Sequence, residues 1–412
     1  SYVATINSIR NISYFSIFLL KEQLSQIIAL MIENKHIGRD VLLSERKELF
    51  RKAERELRFP AQIYKLGDRF QGLPTEIAEI TMLDVTQGPG CHYGAKNVFV
   101  PIIEYLETKR SSGKSKMVVS PQTAILVEPS TGNGWVAFSD AAEMLGYEHI
   151  VIMPDGLPES RYQHPKGRKV QIIKTPKQEY VKGMPKQIQA LMDHNRQRLA
   201  QGKKIYVCPD HAVGRVEITV KTMSELGRQL LADLGELHEP LRVVVSMGNG
   251  ASLCAVGEYV KKKSNNAKVV VTESFAYGGG YDRFAQKREH KSYKELFGIE
   301  PGDPKLMARF SAFGTNAPTD IKMPLQTRAI NSSLIDDYVL FTDTKVLQEY
   351  ERLKLEEDNI KNARELPNYN LLPSVLFETY GNSTLANIVV ASRFTNKGER
   401  VVAMAYDGRK NY

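Results

Sequence analysis

Three short segments carry residue types whose spacing suits anion binding and amine chemistry. The first is Glu128-Pro129-Ser130-Thr131-Gly132-Asn133-Gly134, between an apolar run ending at Val127 and a predicted helix from Trp135. A helix start exposes N–H groups without intrahelical partners and the positive end of the helix dipole, so a carboxylate or phosphate is favoured there. Ser130 and Thr131 add hydroxyl donors, and Gly132 lets a ligand approach the backbone. The second segment is Ser246-Met247-Gly248-Asn249-Gly250-Ala251-Ser252, after the apolar Val243–Val245 and before another helix, in the pattern of a phosphate cradle. Leu253 stands where a dinucleotide fingerprint has its third glycine, and no Walker lysine follows Gly250. A phosphate group smaller than a dinucleotide or nucleoside triphosphate is therefore expected. The third segment is Gly90-Cys91-His92-Tyr93-Gly94-Ala95-Lys96-Asn97, which opens a predicted helix over Val98–Leu106. At a helix start the dipole disfavours an ammonium group, and a neutral amine is the form Schiff-base chemistry uses. Each loop taken alone reads equally well as a capped turn without a ligand, and Lys96 as an exposed loop lysine.

The elements around these segments suit an α/β protein. Candidate strands are Thr123–Val127, Ile150–Met153, Val170–Ile173, Ile205–Cys208, Arg242–Ser246, Lys268–Val271 and Asn387–Ala391; predicted helices between them include Trp135–Leu145, Pro185–Gln201, Val220–Leu234 and Leu253–Lys263. Mostly apolar strands alternating with helices imply a largely parallel sheet covered on both faces. A chain of 412 residues exceeds one compact core, so two domains are expected. Ahead of them, residues 1–60 read as a helical extension for packing or oligomerisation, with an apolar stripe at Ile17, Leu20, Leu24, Ile27, Ile28 and Met31. The apolar run Ile12–Leu20 falls short of the ~20 residues a bilayer requires. No membrane association is expected.

The net charge of +9 is interspersed, and its densest run, Lys261-Lys262-Lys263, reads as the polar end of a helix rather than a nucleic-acid surface. Nucleic acid is not expected as a partner. Cys91, Cys208 and Cys254 are widely separated and show neither disulfide nor zinc spacing, which fits a reducing cytoplasm and no metal.

An anion-binding helix start, a phosphate cradle and an amine in one α/β chain are together the parts of a pyridoxal-phosphate site. Their order resembles the cysteine synthase and cystathionine β-synthase family, pyridoxal-phosphate enzymes of fold type II. Glu128–Gly134 resembles that family's EPTSGNTG loop, Ile150–Pro154 with Glu159-Ser160-Arg161 its next strand and loop, Gly248–Ser252 its GTGGT loop, and Gly94–Asn97 its GSVKDR segment. Weaker matches are Val271-Thr272-Glu273, Ser333–Asp337 and Lys397-Gly398-Glu399-Arg400, so the likeness spans roughly residues 80–412. It implies two open, mostly parallel sheets flanked by helices. It also implies an N-terminal α/β domain over 61–205 with a mobile subdomain, a C-terminal α/β domain over 206–412, and a homodimer.

The resemblance further assigns Lys96 to the internal aldimine and α-proton transfer, and Asn133 to the cofactor ring oxygen. Ser130, Thr131 and Gly132 would take the substrate carboxylate, and Gly248, Asn249, Gly250, Ala251 and Ser252 the cofactor phosphate. The residue facing the pyridine nitrogen falls at Lys397, a cation that cannot accept its proton, so the hydroxyl of neighbouring Thr395 takes that role. Asn97-Val98 replace the usual Asp-Arg, Trp135 follows Gly134 where Thr-Gly is usual, and the small-residue GISSG loop has Pro373-Ser374 as its nearest counterpart. The implied activity is β-replacement on a serine- or cysteine-derived amino acid through an aminoacrylate intermediate. The alternatives are β-elimination or dehydration with release of ammonia, and a non-catalytic homologue acting as a binding subunit.

Overall fold

The computed structural model describes residues 44–108, 119–179, 182–275, 277–302, 323–341 and 372–408. It divides the chain into residues 1–52 and residues 53–412. Of the first unit, residues 44–52 are described and are helical, with the Arg46 guanidinium 5.1 Å above the Phe50 ring. The expected apolar stripe Ile17–Met31 lies outside the described residues.

The second unit holds two sheets. Its strands are β1 (Gln62–Lys65), β2 (Thr81–Asp84), β3 (Ala124–Pro129), β4 (Glu148–Pro154), β5 (Gln171–Thr175), β6 (Ile205–Val207), β7 (Leu241–Ser246), β8 (Lys268–Ser274), β9 (Asp337–Phe341) and β10 (Arg400–Ala405). The larger sheet runs β1-β2-β10-β7-β8-β9 and the smaller β5-β4-β3-β6. Every neighbouring pair is parallel except β1 with β2. The fold class is thus the expected one: mixed α/β, two mostly parallel sheets, flanking helices. All six residues of β7 are buried, as a parallel strand covered on both faces requires. Arg242 tolerates that burial because Glu399 pairs with its guanidinium and the Phe394 ring lies 4.0 Å beneath it.

The helices that bear on the site are α1 (Phe99–Thr108), α2 (Gly134–Met144), α3 (Gly183–Asp193), α4 (Val216–Leu234), α5 (Ala251–Lys263) and α6 (Asn382–Ser392). The helix expected over Pro185–Gln201 is broken at His194 into two pieces. The strand expected at Asn387–Ala391 is instead the interior of α6. Every residue from Ser383 to Ala391 is buried, so the β-branched run Ile388-Val389-Val390 shows no helical stripe in the sequence. The buried Asn387 amide ties this helix down: it donates to the Met404 carbonyl (2.7 Å) and accepts from Thr272 (2.6 Å) and Ser246 (2.9 Å). β1, β2, β9 and β10 were not among the candidate strands, and the first two pair into the larger sheet rather than with β3–β6. Among the described residues, no helix is long and apolar enough to cross a membrane.

Candidate active site

In parallel α/β sheets the carboxyl ends of the strands open onto the ligand crevice. Here β3, β6, β7 and β10 end on one cavity of about 550 Å³. Two helices begin at its wall. α5 starts at Gly250, which has left-handed backbone (φ +92°) and supplies no side-chain cap. The Asn249 side-chain oxygen accepts from the Ala251 N–H at 2.9 Å, and the next first-turn amides have no intrahelical acceptor. α2 starts after Asn133, again without a side-chain cap, while Ser130 Oγ accepts from the Gly132 and Trp135 N–H groups at 3.2 Å each. The structure brings Ser130, Thr131, Gly132 and Asn133 together with the whole segment Gly248–Ser252 in this cavity.

Two expected site residues are not among those lining it. Lys96 is half-buried on the turn leading to α1; its segment reaches the cavity through His92 and Tyr93 instead. Thr395 lies on a short 3-10 turn, and its hydroxyl donates to the carbonyls of Glu76 (3.0 Å) and Ser392 (3.1 Å). Past the end of β10, Tyr406 and then Asp407 do reach the cavity. Arg161 Nη2 pairs with its Oδ2 at 3.0 Å, Asn133 Nδ2 donates to its Oδ1, and the Cys91 thiol lies 3.5 Å from the same oxygen. Burial, reinforced by that carboxylate, pushes the Cys91 thiol well above its usual range. In this part of the chain Ser383, in the first turn of α6 behind the N-cap Gly381, lines the cavity, and Pro373-Ser374 does not.

A second polar group also lines the cavity. The buried Glu128, at the end of β3, meets His211 Nδ1 at 2.5 Å. Asn249 Nδ2 stands 3.3 Å from His211 Nε2 and donates to the Tyr93 hydroxyl at 2.8 Å. Burial raises the Tyr93 phenol above its ordinary value and lowers His92 to about 4, so both are neutral near pH 7. Trp135 packs rather than lining the cavity: its Nε1–H donates to the Arg161 carbonyl (3.1 Å) and its ring meets His164 edge-on. Lys166 (3.0 Å) and Arg168 (2.9 Å) both reach the buried Asp140 of α2, so the segment after β4 is pinned to that helix.

Arg161 closes the matched segment Glu159-Ser160-Arg161, though no role was assigned to it, and Asp407 and His211 carry no local motif. The signal all three share is position, just beyond apolar strand runs: Arg400–Ala405 before Asp407, Glu148–Pro154 before Arg161, and Ile205–Val207 before His211.

The residues present fit a phosphorylated pyridine ring. The uncapped α5 start at Gly250 suits the phosphate, and the buried Asp407 carboxylate suits a protonated ring nitrogen. Comparison with known proteins agrees. The family model for the pyridoxal-phosphate dependent enzyme matches residues 102–357, more than half of the chain and beginning beyond Lys96. Among solved structures, the chain is similar to an O-acetylserine dependent cystathionine beta-synthase from Helicobacter pylori, with TM-score 0.56 and 15% identity over 87% of this chain and 96% of that one. It is also similar to a hydrogen sulfide-producing enzyme from Fusobacterium nucleatum (TM-score 0.55, 15% identity, 87% and 96%) and a cysteine synthase from Entamoeba histolytica (0.52, 14%, 87% and 87%). At such identities the likeness establishes the shared architecture, fold type II. The chain belongs to the pyridoxal-phosphate dependent enzymes, and pyridoxal 5′-phosphate is its cofactor.

Proposed function

We propose that this enzyme acts at the β-carbon of a serine- or cysteine-derived amino acid and exchanges its β-substituent for an incoming nucleophile. The observation that carries the reading is the convergence of two helix starts and one buried carboxylate on a single cavity. Gly248–Ser252 hold the phosphate, Asp407 faces the ring nitrogen and Asn133 the ring oxygen. Ser130, Thr131 and Gly132 hold the substrate carboxylate at the start of α2, where the dipole favours an anion. When bound, the cofactor supplies an electron sink for charge developing at the α-carbon. Apolar Leu157, Met184 and Ile188 cover one side of the cavity, restricting water and favouring addition of a nucleophile over hydrolysis. The similar structures include proteins whose names state cysteine and cystathionine synthesis or hydrogen sulfide production. We assign the amine that bonds the cofactor to Lys96. Because Tyr93, not Lys96, lines the cavity, bonding requires the turn Gly94–Val98 to reorient when the cofactor enters.

The test is a visible absorbance titration of the purified protein with pyridoxal phosphate, followed by borohydride reduction and peptide mapping. The expected result is a saturable visible band and a tag on Lys96. A band with no tag removes Lys96 from its role; neither band nor tag overturns the reading. Products formed with and without a thiol then separate replacement from elimination, which would release ammonia in both cases.

Gly250 provides a second check. Its Cβ position would lie 2.8 Å from the backbone of Leu325 and Gln326, and its φ of +92° disfavours any side chain. A left-handed residue costs about 1–2 kcal/mol. Gly250→Val is expected to lose at least that much stability and to weaken cofactor affinity about tenfold or more, 1.4 kcal/mol being tenfold. Parallel thermal unfolding and cofactor titrations read both effects.

A further inference from the structure

We propose that Glu128 and His211 form a proton-transfer pair in this cavity, with His211 Nε2 as the base that activates the incoming nucleophile. This rests on the replacement chemistry argued above and defines its second substrate: a protic nucleophile Y–H that must lose its proton to react.

The arrangement fixes the histidine tautomer. Asn249 Oδ1 accepts from the Ala251 N–H, which directs Nδ2 toward both Tyr93 and His211. An amide N–H donor facing Nε2 makes that nitrogen the acceptor, so the ring proton sits on Nδ1 and is donated to Glu128 at 2.5 Å. Glu128 is held in turn: its Oε2 accepts from the Asp210 N–H at 3.0 Å. Asp210 has left-handed backbone (φ +58°), a conformation that a non-glycine residue adopts only where its surroundings impose it. That turn carries His211 from the end of β6 onto Glu128 at the end of β3. The Phe99 and Tyr93 rings pack edge-on against the imidazole at 5.2 and 5.1 Å and limit its rotation. Glu128, His211, Asn249 and Tyr93 all line the cavity. Tyr93 cannot serve as the base, because burial keeps its phenol protonated.

In the proposed step the Y–H bond breaks as the bond from Y to the β-carbon forms. The electron pair of the Y–H bond becomes the new bond to the β-carbon. The π pair that departure of the first substituent left between the α- and β-carbons shifts to the α-carbon, where the bound cofactor would receive its charge. The proton goes to His211 Nε2, where Y–H takes the place of the Asn249 amide. The resulting imidazolium is stabilised by the Glu128 carboxylate and returns the proton to water. Glu128 is a positioning residue that acts through the histidine.

Separate measurement of the two half-reactions on the holoenzyme tests this. His211→Gln is expected to leave departure of the β-substituent, followed by stopped-flow absorbance without nucleophile, within about threefold. Nucleophile addition should slow by about 10²-fold or more, the usual scale of general base catalysis. In His211→Ala, added imidazole should restore addition. Equal losses in both half-reactions, or no loss in addition, overturn the proposal. Nitrogen-15 NMR of histidine-labelled wild-type protein tests the geometry independently of turnover, even if the variants misfold. A neutral His211 protonated at Nδ1 supports the proposal, and one protonated at Nε2 overturns it. If wild-type protein releases no β-substituent from any serine or cysteine derivative, the replacement reading itself fails, an outcome distinct from a selective loss in the variants.

Discussion

Replacing Asp407 with alanine is expected to destabilise the fold by about 3–5 kcal/mol, the usual cost of removing one partner from a buried ion pair. The Arg161 side chain is only 10% exposed and its Asp407 partner 7%, so the guanidinium would lose this counter-charge in a buried setting. The Asn133 amide and the Cys91 thiol would lose an acceptor in the same step. Arg161 follows β4 of the smaller sheet and Asp407 follows β10 of the larger, so this pair is also a tie between the two sheets across the cavity. Adding Arg161→Met should recover much of the loss, since a buried pair replaced by apolar side chains is often neutral or better. Urea unfolding of the two single variants and the double variant measures the effect. A loss below about 1 kcal/mol in Asp407→Ala would show that the pair is solvated. Under the proposed function, the same variant loses the partner of the ring nitrogen, so cofactor affinity should fall in Asp407→Ala and stay low in the double variant.

A second large effect is expected from pH at Glu273, the fully buried carboxyl near the end of β8. Burial raises it from its ordinary value to about 7, despite three donors that favour the charged form: the Gly280 and Tyr281 N–H groups and the Tyr338 hydroxyl. A folded-state value above the unfolded one means a contribution fully present below about pH 4.5 and lost as pH rises through about 7. The difference amounts to about 3 kcal/mol. His92 works the other way. Burial lowers it to about 4, so its contribution is present above its unfolded value near 6.5 and is lost as pH falls through 4. The wild-type slope alone therefore mixes the two groups. The difference between wild type and Glu273→Gln isolates Glu273: from pH 5 to pH 8 wild type should lose about 2.5 kcal/mol more than the variant, part of the effect being already lost at pH 5. Urea midpoints at the two pH values read it, and parallel curves would mean that Glu273 ionises normally in the folded protein.

The two strand-to-helix loops of the cavity were legible in the sequence because their pattern is local. Glu128–Gly134 and Gly248–Ser252 each combine a strand end, small residues and a helix start within a few positions, and both reach the cavity. The parallel α/β class was legible for the same reason, since buried strands such as Val243–Val245 are short β-branched runs bounded by turns. α6 was not, because a helix buried on every side has no polar face to mark its period.

The partners across the cavity depended on tertiary structure. Asp407 and Asn133 are 274 residues apart, and Glu128 and His211 are 83 apart. What joins them is the insertion of β10 between β2 and β7, and of β3 between β4 and β6. The same holds for Lys96 and Thr395, which the resemblance assigned despite departures in their segments and whose places are set by packing: Thr395 is held against Glu76, and Tyr93 takes the wall beside Lys96. The sequence by itself determined the two strand-to-helix loops that reach the cavity and the parallel α/β class, because helix starts, glycines and apolar periodicity act over a few residues. Only the tertiary structure decided which carboxylate, arginine and histidine share the cavity, because strand order alone brings such distant positions into contact.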